Sequence, residues 1–249
     1  MKRVKLVVAY DGTNYCGWQV QKNGETIESV LNRAIGELTG EEIHVMGSSR
    51  TDAGVHACGN VAVFDTEARM AADKFSYALN QRLPEDIRIQ DSCEVPADFH
   101  PRFQKTVKTY EYRILNREFP LPAYRFNSHF TYRKLDVERM RQAAAYLIGE
   151  HDFQSFCAAG AQVKTTVRTI YALDVEKQGD LIILRITGNG FLYNMVRIIA
   201  GTLMKIGQGD WEPERMPEIL AGCDRQLAGP TAPARGLTLM EIHFKGEKG

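Results

Sequence analysis

The sequence lacks a charge of its own: 31 Lys and Arg stand against 31 Asp and Glu in 249 residues. Whole-chain electrostatics therefore give no reason to expect a nucleic-acid partner, and any such partner has to be argued from local patches. Cysteine is sparse and scattered. Cys16, Cys58, Cys93, Cys157 and Cys223 are odd in number and contain no C-x-x-C pair, which excludes a thiolate zinc site or redox centre of that kind and fits a reduced, cytoplasmic setting. Long apolar runs are missing too. The basic start, Met1 to Tyr10, carries only a short apolar stretch that leads into a turn without a small-residue cleavage pattern, so neither a signal peptide nor a membrane span is expected. There is no G-x-x-x-x-G-K-[ST] loop, and Gly188-Asn189-Gly190 lacks the third glycine and the strand-turn context of a dinucleotide site. His56, His100 and His151 have no companion ligands at metal spacing. The expectation is no cofactor and no metal.

What is present is a core-forming composition, 44% apolar and 25% charged, enough for one large domain or two smaller ones. Val4, Leu6, Val8 and Tyr10 alternate into a strand that stops at Asp11-Gly12. From Thr26, a capping residue, Ile27, Val30, Leu31, Ala34, Ile35 and Leu38 recur at helical spacing until Gly40. Strands over 43–48 and 60–66, a helix over 71–83 and a strand over 86–93 follow, in the order β-α-β-β-α-β. The pattern then restarts: a strand over 105–116, a helix capped by Asp136, a hairpin turning at Gln178-Gly179, a helix over 191–206 ended by Gly207, a shorter helix near Pro213 or Pro217, and a last strand over 237–244. This predicts an α+β protein of two split β-α-β (ferredoxin/RRM-like) halves, 1–103 and 104–249, with antiparallel sheets flanked by helices around a central cleft.

One segment stands out chemically. Gly47-Ser48-Ser49-Arg50-Thr51-Asp52-Ala53-Gly54-Val55-His56 is polar, bracketed by glycine and set between two apolar strands. Such a loop can hold a short carboxylate at fixed geometry, and Arg50 favours its ionised form. The same spacing also fits an Asx turn in which Asp52 caps backbone amides while Arg50 is solvated.

The segment resembles the R-T-D-A-G-V-H-A signature of the tRNA pseudouridine synthase A family. Further blocks carry the likeness along the chain: Tyr10 to Gln19, Phe99-His100-Pro101-Arg102-Phe103, Lys108 to Arg113, Asp152 to Phe156, Phe191 to Arg197, and Gly229 to Leu237. The resemblance implies that Asp52 is the nucleophile or base that initiates cleavage of the uracil C1′–N1 bond, after which the base rotates and rejoins through C5. A glycosidase normally needs a second carboxylic acid for its leaving group, whereas an isomerase that keeps its base works with one. It further implies that Tyr110 lies against the target base, that Arg197 pairs with the catalytic aspartate, and that Arg50 belongs to the substrate site. Read from the residues alone, an inward-facing strand residue is the more common fate of a tyrosine such as Tyr110, and Arg197, set among Met195, Ile198 and Ile199, fits a partly buried, paired guanidinium better than a helix-surface arginine. The substrate implied is the anticodon stem-loop of tRNA, and the enzyme a homodimer. Ser49 departs from the pattern, because many relatives carry Gly there; a positive-φ backbone would strain a serine.

Between Pro101 and Leu135 eight basic residues face two acidic ones, a local charge of +6, with aromatics interleaved from Phe103 to Tyr132. That mixture suits phosphate contacts and base stacking, and also a solvated strand with a half-buried aromatic face. Two other functions fit parts of the pattern: a non-catalytic RNA-binding module, against which the absence of an aromatic RNP1 consensus argues, and a metal-dependent hydrolase using Asp11, Asp52 and His56.

Overall fold

The computed structural model describes residues 1–160 and 163–244. The chain forms two compact units, Met1–Lys105 with Leu239–Gly249, and Thr106–Thr238. The division lies two residues beyond the expected 103/104 junction, and most of the C-terminal strand groups with the first unit instead of the second.

In the first unit β1 (Lys2–Tyr10) is central, with β4 (Ile87–Val95) and β3 (His56–Thr66) antiparallel on its two sides and β2 (Met46–Gly47) on β3. The order β4-β1-β3-β2 is that of a split β-α-β half. The long β3 also neighbours β10 (Leu237–Phe244), whose backbone runs so close at Met240 that a side chain on Gly59 would meet its carbonyl oxygen at 2.9 Å. Helix α1 (Ile27–Thr39) begins as the sequence indicates, with a capping box between Thr26 and Ser29, and ends at Gly40 with φ 75°. Its buried stripe of Ile27, Val30, Leu31, Ala34 and Ile35 supplies the core together with Val4, Leu6 and Val8, the inward residues of β1. Fully burying one such Leu or Ile contributes about 1.5–3 kcal/mol. The expected helix over 71–83 is a 3-10 turn, Ala72–Lys74, followed by α2 (Phe75–Asn80), whose Phe75 ring meets Phe64 edge-on at 5.2 Å. The expected strand over 43–48 shrinks to β2. Ile43 and Val45 are buried as a strand pattern demands, but the amide of Val45 donates to Asn32 Oδ1 of α1 at 2.8 Å instead of to a neighbouring strand.

In the second unit the order is β7-β8-β9-β5, from β7 (Gly149–Asp152), β8 (Val167–Gln178), β9 (Leu181–Gly188) and β5 (Thr106–Asn116), all antiparallel, with the short β6 (His129–Thr131) parallel to β5. Asp136 caps α3 (Val137–Ala145) by accepting the amides of Glu138 and Arg139. Helices α3 and α4 (Met195–Gly207) pack together, and nearly every residue of α4 is buried. Helix α5 (Arg215–Gly222) follows. The hairpin between β8 and β9 turns at Gly179-Asp180, one residue later than expected, because Gly179 takes the left-handed conformation at φ 61°. Helix α4 starts four residues later than its apolar spacing suggests: Asn194, at φ 60°, is left-handed and cannot continue a helix backwards.

Candidate active site

The sequence blocks that carry the family likeness sort into two clusters, one in each unit. In the first unit, Tyr10 to Gln19 and Phe99 to Phe103 both fasten the Asp52 loop. The Trp18 amide donates to the Thr51 carbonyl at 3.0 Å, and the Ser48 hydroxyl donates to the Pro101 carbonyl at 2.9 Å. Gly12 and Gly17 have to be glycine: a side chain on Gly12 would collide with the Val55 carbonyl, and Gly17 sits at φ 88° against Thr51 and Asp52. Asn60, fully buried on β3, is the hub. Its amide group accepts from Ser49 N at 3.2 Å and donates to Ser49 O at 3.0 Å and to the Tyr10 hydroxyl at 3.3 Å, while that hydroxyl meets Thr51 Oγ1 at 2.7 Å. The loop closes in a turn in which the Val55 amide donates to the Asp52 carbonyl at 3.1 Å and Gly54 takes φ 76°. Asp52 is left half-buried and Arg50 exposed.

Ser49 is not strained. Among the described residues the only non-glycine positive φ values are those of Asn194 and Cys223, so the serine occupies an ordinary backbone conformation and is held by Asn60 on both its amide and its carbonyl. The reason a serine suffices here is that the left-handed positions fall at Gly54 within the loop and at Gly17 in the stretch packed against it.

In the second unit Tyr110, half-buried on β5, meets the Phe191 ring edge-on at 5.2 Å. Phe191 opens the turn that leads through Asn194 into α4, where Arg197 is partly buried. Arg197 donates from Nε to the Ala232 carbonyl and from Nη1 to Asn194 Oδ1, both at 2.7 Å, and the Ala232 amide returns to the Arg197 carbonyl at 3.1 Å. The Gly229 to Leu237 block is thereby tied to the start of α4. It is tied to β5 as well, because the Tyr112 hydroxyl donates to the Pro233 carbonyl at 2.9 Å and Gly236 lies against the Tyr112 ring. Burial pushes the Tyr112 hydroxyl well above the usual tyrosine value, against the opposing pull of Arg197 and Arg235, so it stays a neutral donor. Phe191, Asn194 and Ala232 had no individual signal in the sequence; they emerge only as what Tyr110 and Arg197 touch.

The basic stretch is less uniform than its sequence suggests. Arg113 pairs with Glu111, a carboxylate of the stretch itself, while Arg117 pairs with Asp180 and Arg133 with Asp210, so two of the six net charges are offset by carboxylates remote in sequence. Tyr112 is fully buried and offers no stacking face. Phe103, Phe119 and Tyr132 are strongly exposed. Asp11 and His56 do meet, with Asp11 Oδ1 3.1 Å from His56 Nδ1, but no group of three or more His, Cys, Asp or Glu that could hold a metal ion forms among the described residues. The donor set that a metal-dependent hydrolase requires of Asp11, Asp52 and His56 does not converge.

Comparison with known proteins bears on the same residues. The family model described as tRNA pseudouridine synthase matches residues 6–104 and 143–245, which takes in the Asp52 loop and the start of α4. Proteins named tRNA pseudouridine synthase A are similar over nearly the whole chain: that of Brevibacillus brevis is 51% identical over 245 residues, covering 98% of this chain and 100% of its own. The one from Ruminiclostridium cellulolyticum is 49% identical over 245 residues, and the one from Acetivibrio thermocellus 48% over 244, each with 98% and 100% coverage. The chain belongs to the tRNA pseudouridine synthase family.

Proposed function

We propose that Asp52 is the catalytic group with which this tRNA-uridine isomerase opens the glycosidic bond of its substrate, and that Arg50, Tyr110 and Arg197 bind that substrate. The observation that supports the reading most is the support of the Asp52 loop: two separate stretches of chain and a buried polar hub serve to present one short carboxylate, half-buried, beside an exposed arginine. Such preorganisation is what a reacting group needs and what a solvated Asx turn does not. As nucleophile or base at the ribose, the carboxylate starts the step in which C1′–N1 breaks and uracil leaves with the bonding pair. The freed base turns, its C5 joins C1′, and C5 gives up its proton while nitrogen regains one, so that nothing is lost from the substrate. Tyr110, backed by Phe191, offers an aromatic face for the base and a hydroxyl near C5.

The uridines served lie, on this reading, in the anticodon stem-loop. An A-form stem hides its base edges in a deep, narrow groove, so recognition through shape and phosphate lets neighbouring uridines be served by one site once each is unstacked and extruded. A homodimer working in the cytoplasm completes the reading. Among the described residues no helix is long and apolar enough to cross a membrane.

Incubating unmodified tRNA with wild-type and Asp52→Asn enzyme, and mapping pseudouridine at nucleotide resolution, tests both parts. The expected result is product in the anticodon stem-loop from the wild type and a loss of about a thousandfold or more in the variant, with tRNA binding retained. Undiminished turnover by Asp52→Asn removes the carboxylate from the mechanism. A protein that binds tRNA but yields no product in either form is an RNA-binding module.

A further inference from the structure

Phe99 to Phe103 forms a tight turn against the base of the Asp52 loop. It is anchored on three sides: Arg3 Nη1 donates to the Phe99 carbonyl at 2.9 Å, the Phe99 ring meets Phe244 at 5.2 Å, and the Ser48 hydroxyl holds the Pro101 carbonyl. The Phe103 amide closes the turn onto the His100 carbonyl at 3.2 Å. Within it the Arg102 guanidinium donates through Nε to the Gly47 carbonyl at 2.9 Å, which fixes the plane of the group while its two terminal nitrogens find no partner among the described residues. Arg50 lies three residues further along the same loop. Both arginines are exposed, and among the described residues neither forms an ion pair with a carboxylate, unlike Arg113, Arg117 and Arg133. Partial burial of the guanidinium where it bonds Gly47, and then repulsion from Arg50, hold Arg102 below its ordinary pKa against the opposing pull of Glu28, an unfavourable arrangement for two cations that an anion between them relieves. Beside them Phe103 lies flat on the His100 imidazole, ring centres 4.1 Å apart and planes 24° from parallel, while 84% of the residue remains open to solvent. A large aromatic backed by a second ring and bare on its outer face is poorly explained by packing.

We propose that Arg50 and Arg102 form an anion subsite for one phosphodiester of the RNA strand beside the target nucleotide, and that the outer face of Phe103 is the platform on which a neighbouring base stacks. The planar, fixed fork of an arginine suits bidentate contact with phosphate oxygens, and an aromatic next to it is the pairing used to hold single-stranded or extruded nucleotides. With Arg50 two residues from Asp52, the pair grips the backbone close to the carboxylate. The proposal rests on the reading of the Asp52 loop as the reaction centre.

Binding of unmodified tRNA to the full chain carrying Asp52→Asn, measured at several salt concentrations, separates the two ideas because no turnover is needed. In that background Arg102→Ala is expected to weaken binding about tenfold and to reduce the slope of log affinity against log salt by about one, the mark of a lost phosphate contact. Arg102→Lys, which keeps the charge but loses the bond to Gly47, retains most of that slope. Phe103→Ala weakens binding about fivefold or more without changing the slope, and Phe103→Trp restores it. An unchanged salt slope in Arg102→Ala, whatever its affinity, overturns the phosphate subsite, and unchanged affinity in Phe103→Ala overturns the platform. Product formation by Asp52→Asn overturns the reading of Asp52 and leaves both slope measurements standing.

Discussion

The Asp52 loop has almost no regular structure, and its shape comes from a buried amide on the neighbouring strand; Tyr110 is placed by the regular pairing of β5 with β9, and Arg197, on a helix, by one residue held in an uncommon backbone conformation. In the first unit Asn60 holds both backbone groups of Ser49 and the Tyr10 hydroxyl that touches Thr51. In the second, Asn194 turns the chain at φ 60° into α4 and then accepts Arg197 with its own side chain. A side-chain hub distributes its effect over several stretches of chain, so damage there spreads. A backbone turn acts on its immediate neighbours, so damage there stays local.

The hub is the place to break this contrast hardest. Replacing Asn60 by Leu keeps the position filled but withdraws the partner of Ser49 on both sides, inside a core where unmet polar groups are costly. A loss of about 2–4 kcal/mol in urea denaturation is expected, together with a fall in turnover, because the loop beneath Asp52 loosens with the fold. If stability drops while turnover per folded molecule is kept, the hub supports the fold alone and the comparison fails on its first side.

Asn194 gives the smaller and more selective effect. Asn194→Ala places a Cβ in the left-handed region without the polar side chain that eases it, and costs about 1–2 kcal/mol. Asn194→Gly removes the backbone strain and is expected to stay within about 0.5 kcal/mol of wild type, yet it also strips Arg197 of its Asn194 partner. Turnover should therefore fall several-fold in both variants although only one is destabilised. Parallel losses of turnover and stability would mean that the turn matters only for folding.

Much of this was legible in the sequence where the signal is periodic or capped. The N-cap at Thr26, the apolar stripe of α1, the alternation of β1 and the cap at Asp136 all appear where residue spacing puts them. Failures fall where a tertiary partner decides. Val45 reads as strand but is bonded to Asn32 of a helix, and the first residues of the α4 pattern are apolar because Phe191 and Leu192 pack in a turn. The strand over 237–244 was expected in the second half, but pairing partners are not written in the strand itself, and from Leu239 it groups with the first unit. At the site, the loop stood out because its polarity breaks an apolar context. Asn60 did not, since an asparagine within a strand reads as a surface residue until its burial is known. The charge of the 101–135 stretch was overread for a related reason: Asp180 and Asp210, which neutralise part of it, lie far away in the chain.

The mildest test concerns the edge of the Asp52 loop, where Asp11 follows β1. Burial by itself raises the Asp11 carboxyl, but hydrogen bonds from the Thr13 hydroxyl at 2.6 Å and amide at 3.0 Å, with His56 beside it, outweigh that and hold it below its ordinary value of 3.8. A carboxyl whose pKa is depressed by folding adds stability that is fully present above the unfolded value and disappears as pH falls through the folded one. Asp11→Asn should accordingly melt slightly below wild type at neutral pH, and the gap should narrow as pH falls below about 4 and on through the lower folded value, where the wild-type carboxyl also becomes neutral. The effect stays small because Asp11 is half-exposed and its charge interactions are screened by solvent. Melting curves of the two proteins from about pH 7 to about pH 3 decide the matter: a gap that persists unchanged into acid assigns Asp11 to the geometry of the turn, through Thr13, and leaves its charge without a part in fastening the loop.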